Sequence, residues 1–402
     1  MGEVRYLKRS ADTAHGIDQE VADSVRKILG GVREHGDEAI RKFTKEFDGI
    51  DHRDFRISAA EAEAATEAVS RDAREAIDTA ITNVREFHRE QRDHIEGFER
   101  EFGEGVTLGQ RVLPIESAGA YVPGGRYQHV VTPVMTIVPA AVAGVERVIA
   151  CTPPQEDGTI PPAQLYAMRE AGADAIYSIG GAQAIGAMAY GTASVDSVDM
   201  VTGPGNVFTT EAKRQVFGTV GIDFLAGPTE VLIIADETAD PSVIATDILA
   251  QAEHDINSRP VLISLSDTIA RQTIDRIEDQ LATVDSKQTT RKCWQVNGEV
   301  AIAKDRMTAI DLANEYAMEH LQVMTADPRE YMDGLRNYGS LFLGHHSPVV
   351  FGDKIVGTNH CLPTFRGARY TSGIWVGTYL KTPTHQELTA KGAAELAPLT
   401  AR

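Results

Sequence analysis

Apolar positions recur at helical spacing through most of residues 16–100. GIDQEVADSVRKILGGVREHGDEAIRKFTKEFDG (16–49) carries a helical stripe. SAAEAEAATEAVSRDAREAIDTAITNVREFHREQRDHIE (58–96) repeats it, opened by Ser58 with Glu61 three residues later, the pattern of a capping box. The charged positions between these stripes read as a solvated face. The texture changes near residue 106, where VTLGQRVLPIESAGAYVPGG reads as short strands and turns. After it, TPVMTIVPAAVAGV (helix), RVIACTPP (strand), AQLYAMREAGA (helix), AIYSIGG (strand), AQAIGAMAYGT (helix) and VDMVTGPGN (strand and loop) follow in turn. Strands alternating with helices at this spacing predict βαβ units and a parallel sheet.

FLAGPTEVLIIAD begins a second such series, continued by a helix over 241–254, the strand PVLISLSD and a helix over 268–282. ELTAKGAAELAPLTAR closes the chain as a helix. The expected architecture is α/β: two Rossmann-like α/β/α units with an N-terminal helical portion, one inserted in the other. Residues 1–119 and 230–368 are expected to form the larger, discontinuous unit, 120–229 the insert and 369–402 a tail. No internal repeat and no low-complexity linker interrupts this order.

The 402 residues suffice for two or three cores. No apolar run is long enough for a membrane span, and the N-terminus lacks the apolar segment of a secretory signal. Three widely spaced cysteines give no CxxC pair and no disulfide framework, as expected of a cytoplasmic protein. A formal charge of −19 argues against nucleic acid or an anionic membrane as partner. Of 39 basic residues only 11 are Lys, a composition that fits work at high salt and equally a GC-rich genome.

Three clusters offer chemistry. Gln251 and His254, three apart at the end of the 241–254 helix, share one face and could form half of a metal site; a polar helix end explains them as well. Asp240 is its expected N-cap and Pro241 its first residue. Glu319 and His320, a carboxylate beside an imidazole, are suited to proton transfer near neutral pH if a helix start or loop lets both reach a cleft. Asp353 stands where the apolar run VVF, read as a strand, ends in Gly-Asp; this points either to a ligand crevice or to a plain turn. There is no GxGxxG, but Gly180-Gly181-Ala182-Gln183 and Gly203-Pro204-Gly205-Asn206 each lie between a strand and a helix, where backbone N–H groups can meet phosphate.

Taken together, YVPGG (121–125), GGAQAIGAMAYGT (180–192), GPGNVFTTEAKRQVFG (203–218), DFLAGPTEVLIIAD (223–236), AQAEH (250–254), EHL (319–321) and GTNHCLPT with ARYTSG (357–373) resemble the histidinol dehydrogenase family, in order and over nearly the whole chain. The resemblance implies a homodimeric enzyme dependent on zinc and NAD. It implies zinc ligands at Gln251, His254 and Asp353 and an acid/base pair at Glu319 and His320. It places NAD contacts at Tyr121, Pro123, Gln183, Pro204 and Asn206. Substrate contacts fall on Thr229, where the family's AGPSE motif has Ser, and again on Gln251, His254, His320 and Asp353. The implied reaction is a four-electron oxidation of an alcohol to a carboxylate through a bound aldehyde.

Two departures shape the expected substrate. The chain as read stops at Arg402, before a terminal segment in which the family carries a Glu and a fourth zinc ligand, a His from the partner subunit. Either the sequence is clipped there or the protein lacks the segment, and in the second case water, ahead of His385, is the expected replacement. RNYGSLFLG, VPGGRYQH and ARYTSGIWVGTYLKT are more similar to the sulfopropanediol dehydrogenase branch. That similarity implies a small anionic polyol, 2,3-dihydroxypropane-1-sulfonate, held by some of Arg126, His129, Lys354, Asn359, Arg366 and Arg369. The alternatives are histidinol dehydrogenase itself and a non-catalytic relative that binds nucleotide or metal; the intact Gln251, His254, Glu319, His320 and Asp353 weigh against the latter.

Overall fold

The structure, a computed structural model, describes residues 3–11, 19–51, 54–124, 129–284 and 287–402. It is mixed α/β, built on two separate parallel sheets as the alternation predicts. The smaller sheet has the strand order Ala175–Ser178, Arg147–Thr152, Ser117–Tyr121, Met200–Thr202, Gly221–Ile222, all parallel. Chain order reverses between Ser117–Tyr121 and Met200–Thr202, which is the topological switch point of a Rossmann-type sheet. The larger sheet runs Val4–Lys8, Glu299–Ala303, Arg259–Ser264, Glu230–Ala235, His320–Met324, Ser340–Leu343. It is parallel except for the antiparallel edge strand Val4–Lys8. Its central strands read as continuous apolar runs because helices cover both faces: Val231, Leu232, Ile233 and Ile234 are all fully buried.

Local signals place the helix starts. Ser58 and Glu61 form the capping box of Ala59–Ala68. The Asp240 side chain accepts the Ser242 amide, and Pro241 opens Pro241–Ala252, as the sequence predicts. Among the described residues the helical region has four helices, Gln19–His35, Asp37–Asp48, Ala59–Ala68 and Arg71–Asp93, before the strand Phe98–Gly103.

The packing of these four helices departs from the expected grouping of 1–119 with the larger unit. Val25, Leu29 and Val32 share a core with Ile179, Ile185 and Met188, and Ile77, Ile81 and Val84 with Ala118, Val138 and Val148. All lie in the layers of the smaller sheet; among the described N-terminal elements Val4–Lys8 alone joins the larger one. An amphipathic stripe shows that a helix must be covered, not by which sheet. The expected tail helix is present as Ala390–Thr400, with the Thr389 side chain as N-cap. It follows the strand Thr384–Leu388, which pairs with Val106–Gln110.

Candidate active site

Two sheet edges come together. Tyr121 ends its strand at the carboxyl edge of the smaller sheet, and its hydroxyl accepts the Gly181 amide at 3.1 Å. Gly203 follows Met200–Thr202, so Pro204 and Asn206 lie beside Tyr121 across the switch point. Asn206 caps Val207–Val216, its Oδ1 accepting the Phe208 and Thr209 amides at 3.0 and 3.1 Å. Pro123 presents its carbonyl to Gln164. Gln183 is buried near the start of Gly181–Tyr190 with its Oε1 unpartnered. All five residues expected to meet NAD therefore gather at one edge, with two helix N-termini directed there.

The larger sheet contributes its opposite, amino edge. Glu319 immediately precedes His320–Met324, and Thr229 immediately precedes Glu230–Ala235. Glu319 Oε2 accepts the Thr229 hydroxyl at 2.6 Å and the Glu230 amide at 2.9 Å. His320 Nδ1 donates to the Glu230 carbonyl at 2.9 Å. Because a carbonyl can only accept, Nδ1 carries a proton, and in the neutral ring the lone pair is on Nε2. Nε2 is buried without a hydrogen-bond partner and lies 3.7 Å from Asp353 Oδ1. Glu319 Oε2 is 3.5 Å from His320 Nδ1, and the Gln251 amide nitrogen is 3.3 Å from it. Adjacent strand residues normally face opposite ways. Glu319 escapes that rule by standing just outside the strand.

Asp353 lies on the short helix Val349–Lys354, not at a strand end. Three apolar residues in a row suit one helical turn as well as a strand. Gln251 is in the last turn of Pro241–Ala252 and buried, and its Oε1 is 3.5 Å from Thr229 Oγ1. His254, one residue beyond the helix cap, opens an edge to solvent yet sits among dense neighbours. Its pKa is lowered, chiefly by burial, against the pull of Asp353.

Burial alone would lower the His320 pKa, but Glu319 and Asp353 outweigh it and hold it up at about 9. Burial raises Glu319, with His320 opposing. A carboxylate and an imidazole are sound zinc donors and an amide oxygen a rarer one, and the unpartnered His320 Nε2 marks a polar atom in the same region. Among the described residues no three His, Cys, Asp or Glu side chains close on one point. The expected set supplies only two of those types, Gln251 being the third donor. The residues thus fit a cation with open positions.

The anion-binding candidates divide. His129 stands near His254, Lys354 and His360: burial first, then His360, Lys354 and His254, push its pKa down to about 4. The His360 ring Nδ1 donates to the Asp353 carbonyl at 2.8 Å. Asn359, expected in the pocket, instead spends its side chain on the Met135 carbonyl and the Cys361 amide, tying the two sheet units together. Arg366 and Arg369 are exposed, and Arg369 donates to the Arg366 carbonyl. Arg126 lies outside the described residues. His385 sits on the peripheral Thr384–Leu388 strand with Nε2 2.6 Å from Glu99 Oε2, so within this chain it is no zinc ligand.

Glu230 was not singled out from the sequence. It is buried, and its pKa is pushed up to about 7 by burial, against Arg259 and with Glu319 adding. The acid opening the apolar run EVLIIA was the available signal.

A Rossmann-type edge and a buried acid–imidazole pair together suit an α/β oxidoreductase. Residues 11–402 match the family model for histidinol dehydrogenase. The chain is 44% identical over 400 residues to a histidinol dehydrogenase homolog of Shouchella clausii, covering 99% of this chain and 94% of that one. It is 45% identical over 394 residues to histidinol dehydrogenase of Methanothermobacter thermautotrophicus, covering 98% and 92%. The crystal structure of histidinol dehydrogenase from Elizabethkingia anophelis superposes with a TM-score of 0.91 at 36% identity, covering 97% and 89%. This protein belongs to the histidinol dehydrogenase family.

Proposed function

We propose that the protein oxidises a small primary alcohol to the carboxylate in two hydride transfers to NAD, with zinc at Gln251, His254 and Asp353. The observation that carries this reading is the joint anchoring of Glu319 and His320 on Thr229 and Glu230, at the amino edge of the larger sheet. In the first step His320 Nε2 takes the alcohol proton as hydride leaves the carbon for the nicotinamide. In the second, Glu319 takes a proton from water as it adds to the bound aldehyde, and the hydrate gives up its hydride to a second NAD. The balance is RCH2OH + 2 NAD+ + H2O giving RCOO− + 2 NADH + 3 H+. The Glu230 carbonyl keeps His320 in the tautomer this needs. Zinc, when bound, supplies Lewis-acid polarisation of the substrate hydroxyl and a charge that offsets the carboxylates holding the His320 pKa up.

For the substrate we propose a small anionic polyol, with 2,3-dihydroxypropane-1-sulfonate as the leading candidate. His129, His360 and His254 gather beside Lys354, their pKa values lowered chiefly by burial and further by the Lys354 charge, and an anion would pair with that charge. The second reading, L-histidinol, draws on the names of the relatives and on the carboxylates Glu230, Glu319 and Asp353, which favour a cationic amine. The test is NADH formed per substrate consumed by zinc-loaded protein, with the two compounds in parallel at low and high salt. Two NADH from the sulfonate and none from histidinol supports the first reading. The reverse supports the second, and no NADH from either refutes both.

A further inference from the structure

On the reading of the switch-point loop as the NAD site, we infer that the buried ion pair Lys213–Asp223 is a clamp that sets cofactor affinity by holding the backbone of Gly203. Both side chains are almost wholly buried, at 4% and 0% exposure, and form an ion pair. Neither is spent on the other alone. Asp223 Oδ2 accepts the Gly203 amide at 2.8 Å, and Lys213 Nζ donates to the Gly203 carbonyl at 3.0 Å. One peptide unit on each side of Gly203 is therefore gripped by opposite charges, which fixes its orientation. Gly203 needs this grip. Its φ is 113°, a conformation other residues rarely adopt, and a Cβ there would collide with the Tyr121 carbonyl.

The next residue is Pro204, and Asn206 caps the helix that carries Lys213. The clamp thus closes a ring: loop, helix, Lys213 and back to the loop. Lys213 also lies over the Phe224 ring, 5.6 Å from its centroid, and Phe224 follows Asp223. A buried ion pair is weak support for stability, since apolar replacements of similar volume often fold as well. Its use here is positional: it aligns the Gly203–Asn206 backbone with Tyr121 across the switch point. Lys213 and Asp223 do not touch the acid–imidazole pair, so they are positioning residues for the cofactor, not catalytic ones.

The test measures NAD+ and NADH binding to the zinc-loaded protein by calorimetry and NADH fluorescence, with melting temperature recorded throughout. Lys213→Met removes the grip on the Gly203 carbonyl and leaves the Asp223 charge buried without its cation, which destabilises the fold. Lys213→Met/Asp223→Asn removes both charges and keeps an acceptor for the Gly203 amide. The clamp predicts that the double variant melts near wild type yet binds NAD+ at least tenfold more weakly. Its KM for the alcohol stays unchanged, as does kcat at saturating NAD+. A double variant that melts near wild type and binds NAD+ with wild-type affinity overturns the clamp and makes the pair merely structural. So does weaker binding matched by an equal rise in KM for the alcohol. Wild-type protein that binds neither NAD+ nor NADH overturns the cofactor reading of the loop, and the clamp with it.

Discussion

Thr229→Val isolates one hydrogen bond in the proposed chemistry. The substitution keeps the β-branched shape and removes the hydroxyl that donates to Glu319 Oε2 at 2.6 Å. A hydrogen bond to a charged group contributes about 1.5–3 kcal/mol. The Glu230 amide still donates to the same oxygen at 2.9 Å, and His320 remains 3.5 Å away. The lower end of that range therefore applies, and about 1.5–2 kcal/mol corresponds to roughly a 10- to 30-fold loss in rate. It should fall on the step Glu319 serves, hydration of the aldehyde and the second hydride transfer. The first hydride transfer, served by His320 Nε2, should change by less than about threefold, because the Glu230 carbonyl still holds the imidazole. Rapid mixing would then show a burst of one NADH per site followed by slowed turnover. Aldehyde would become trappable by semicarbazide. Thr229→Ser should restore most of the second step. Equal slowing of both transfers, or no slowing of either, refutes the assignment of the Thr229 hydroxyl to Glu319.

Three further outcomes follow from the same contacts. His254→Ala should fold normally by circular dichroism but lose zinc on gel filtration; unchanged metal content refutes the ligand assignment. Tyr379→Phe should destabilise by about 1 kcal/mol, because the buried hydroxyl donates to the Thr136 carbonyl at 2.7 Å and lies 3.1 Å from Thr202 Oγ1; an unchanged melting temperature refutes it. His88 is fully buried and its pKa is lowered, chiefly by burial, against its bond to the Val84 carbonyl. The unfolded chain binds the His88 proton first as pH falls, so stability is lost below about pH 6.5, at up to about 1.4 kcal/mol per unit. His88→Leu should flatten that acid limb in denaturant titrations below about pH 6.5, and an equally steep limb in the variant refutes it.

Much of the fold was legible because its signals are local. The Ser58–Glu61 box, the Asp240–Pro241 helix start and the alternation of apolar runs each lie within a few residues of the structure they set. The site was legible only as fragments. Thr229 and Glu319 bond across 90 residues of chain, and nothing in either stretch names the other. Asp353 fell on a helix where an apolar run suggested a strand, and the run is too short for periodicity to decide. The Lys213–Asp223 pair was hidden for a different reason. A lysine on a helix reads as solvated, and only the closed loop shows that this one is buried.

The direction of the two edges is the remaining piece of chemistry. A ligand crevice in an open α/β sheet is expected outside the carboxyl ends of the strands, and Asp353 was read in that light. The smaller sheet obeys, with Tyr121 and Gly203 at carboxyl ends and the N-termini of Gly181–Tyr190 and Val207–Val216 beside them. The larger sheet does the reverse: Thr229 and Glu319 precede their strands. Helix polarity rationalises the difference on the proposed reading. A helix that follows a parallel strand runs back, so its N-terminus lies at the carboxyl edge and its C-terminus at the amino edge. The positive N-terminal ends suit the pyrophosphate of a dinucleotide. The negative C-terminal end of Pro241–Ala252, where Gln251 and His254 lie, suits a divalent cation. On that proposal, setting a carboxyl edge against an amino edge puts an anion site on one sheet and a cation site on the other, with the reacting carbon between them.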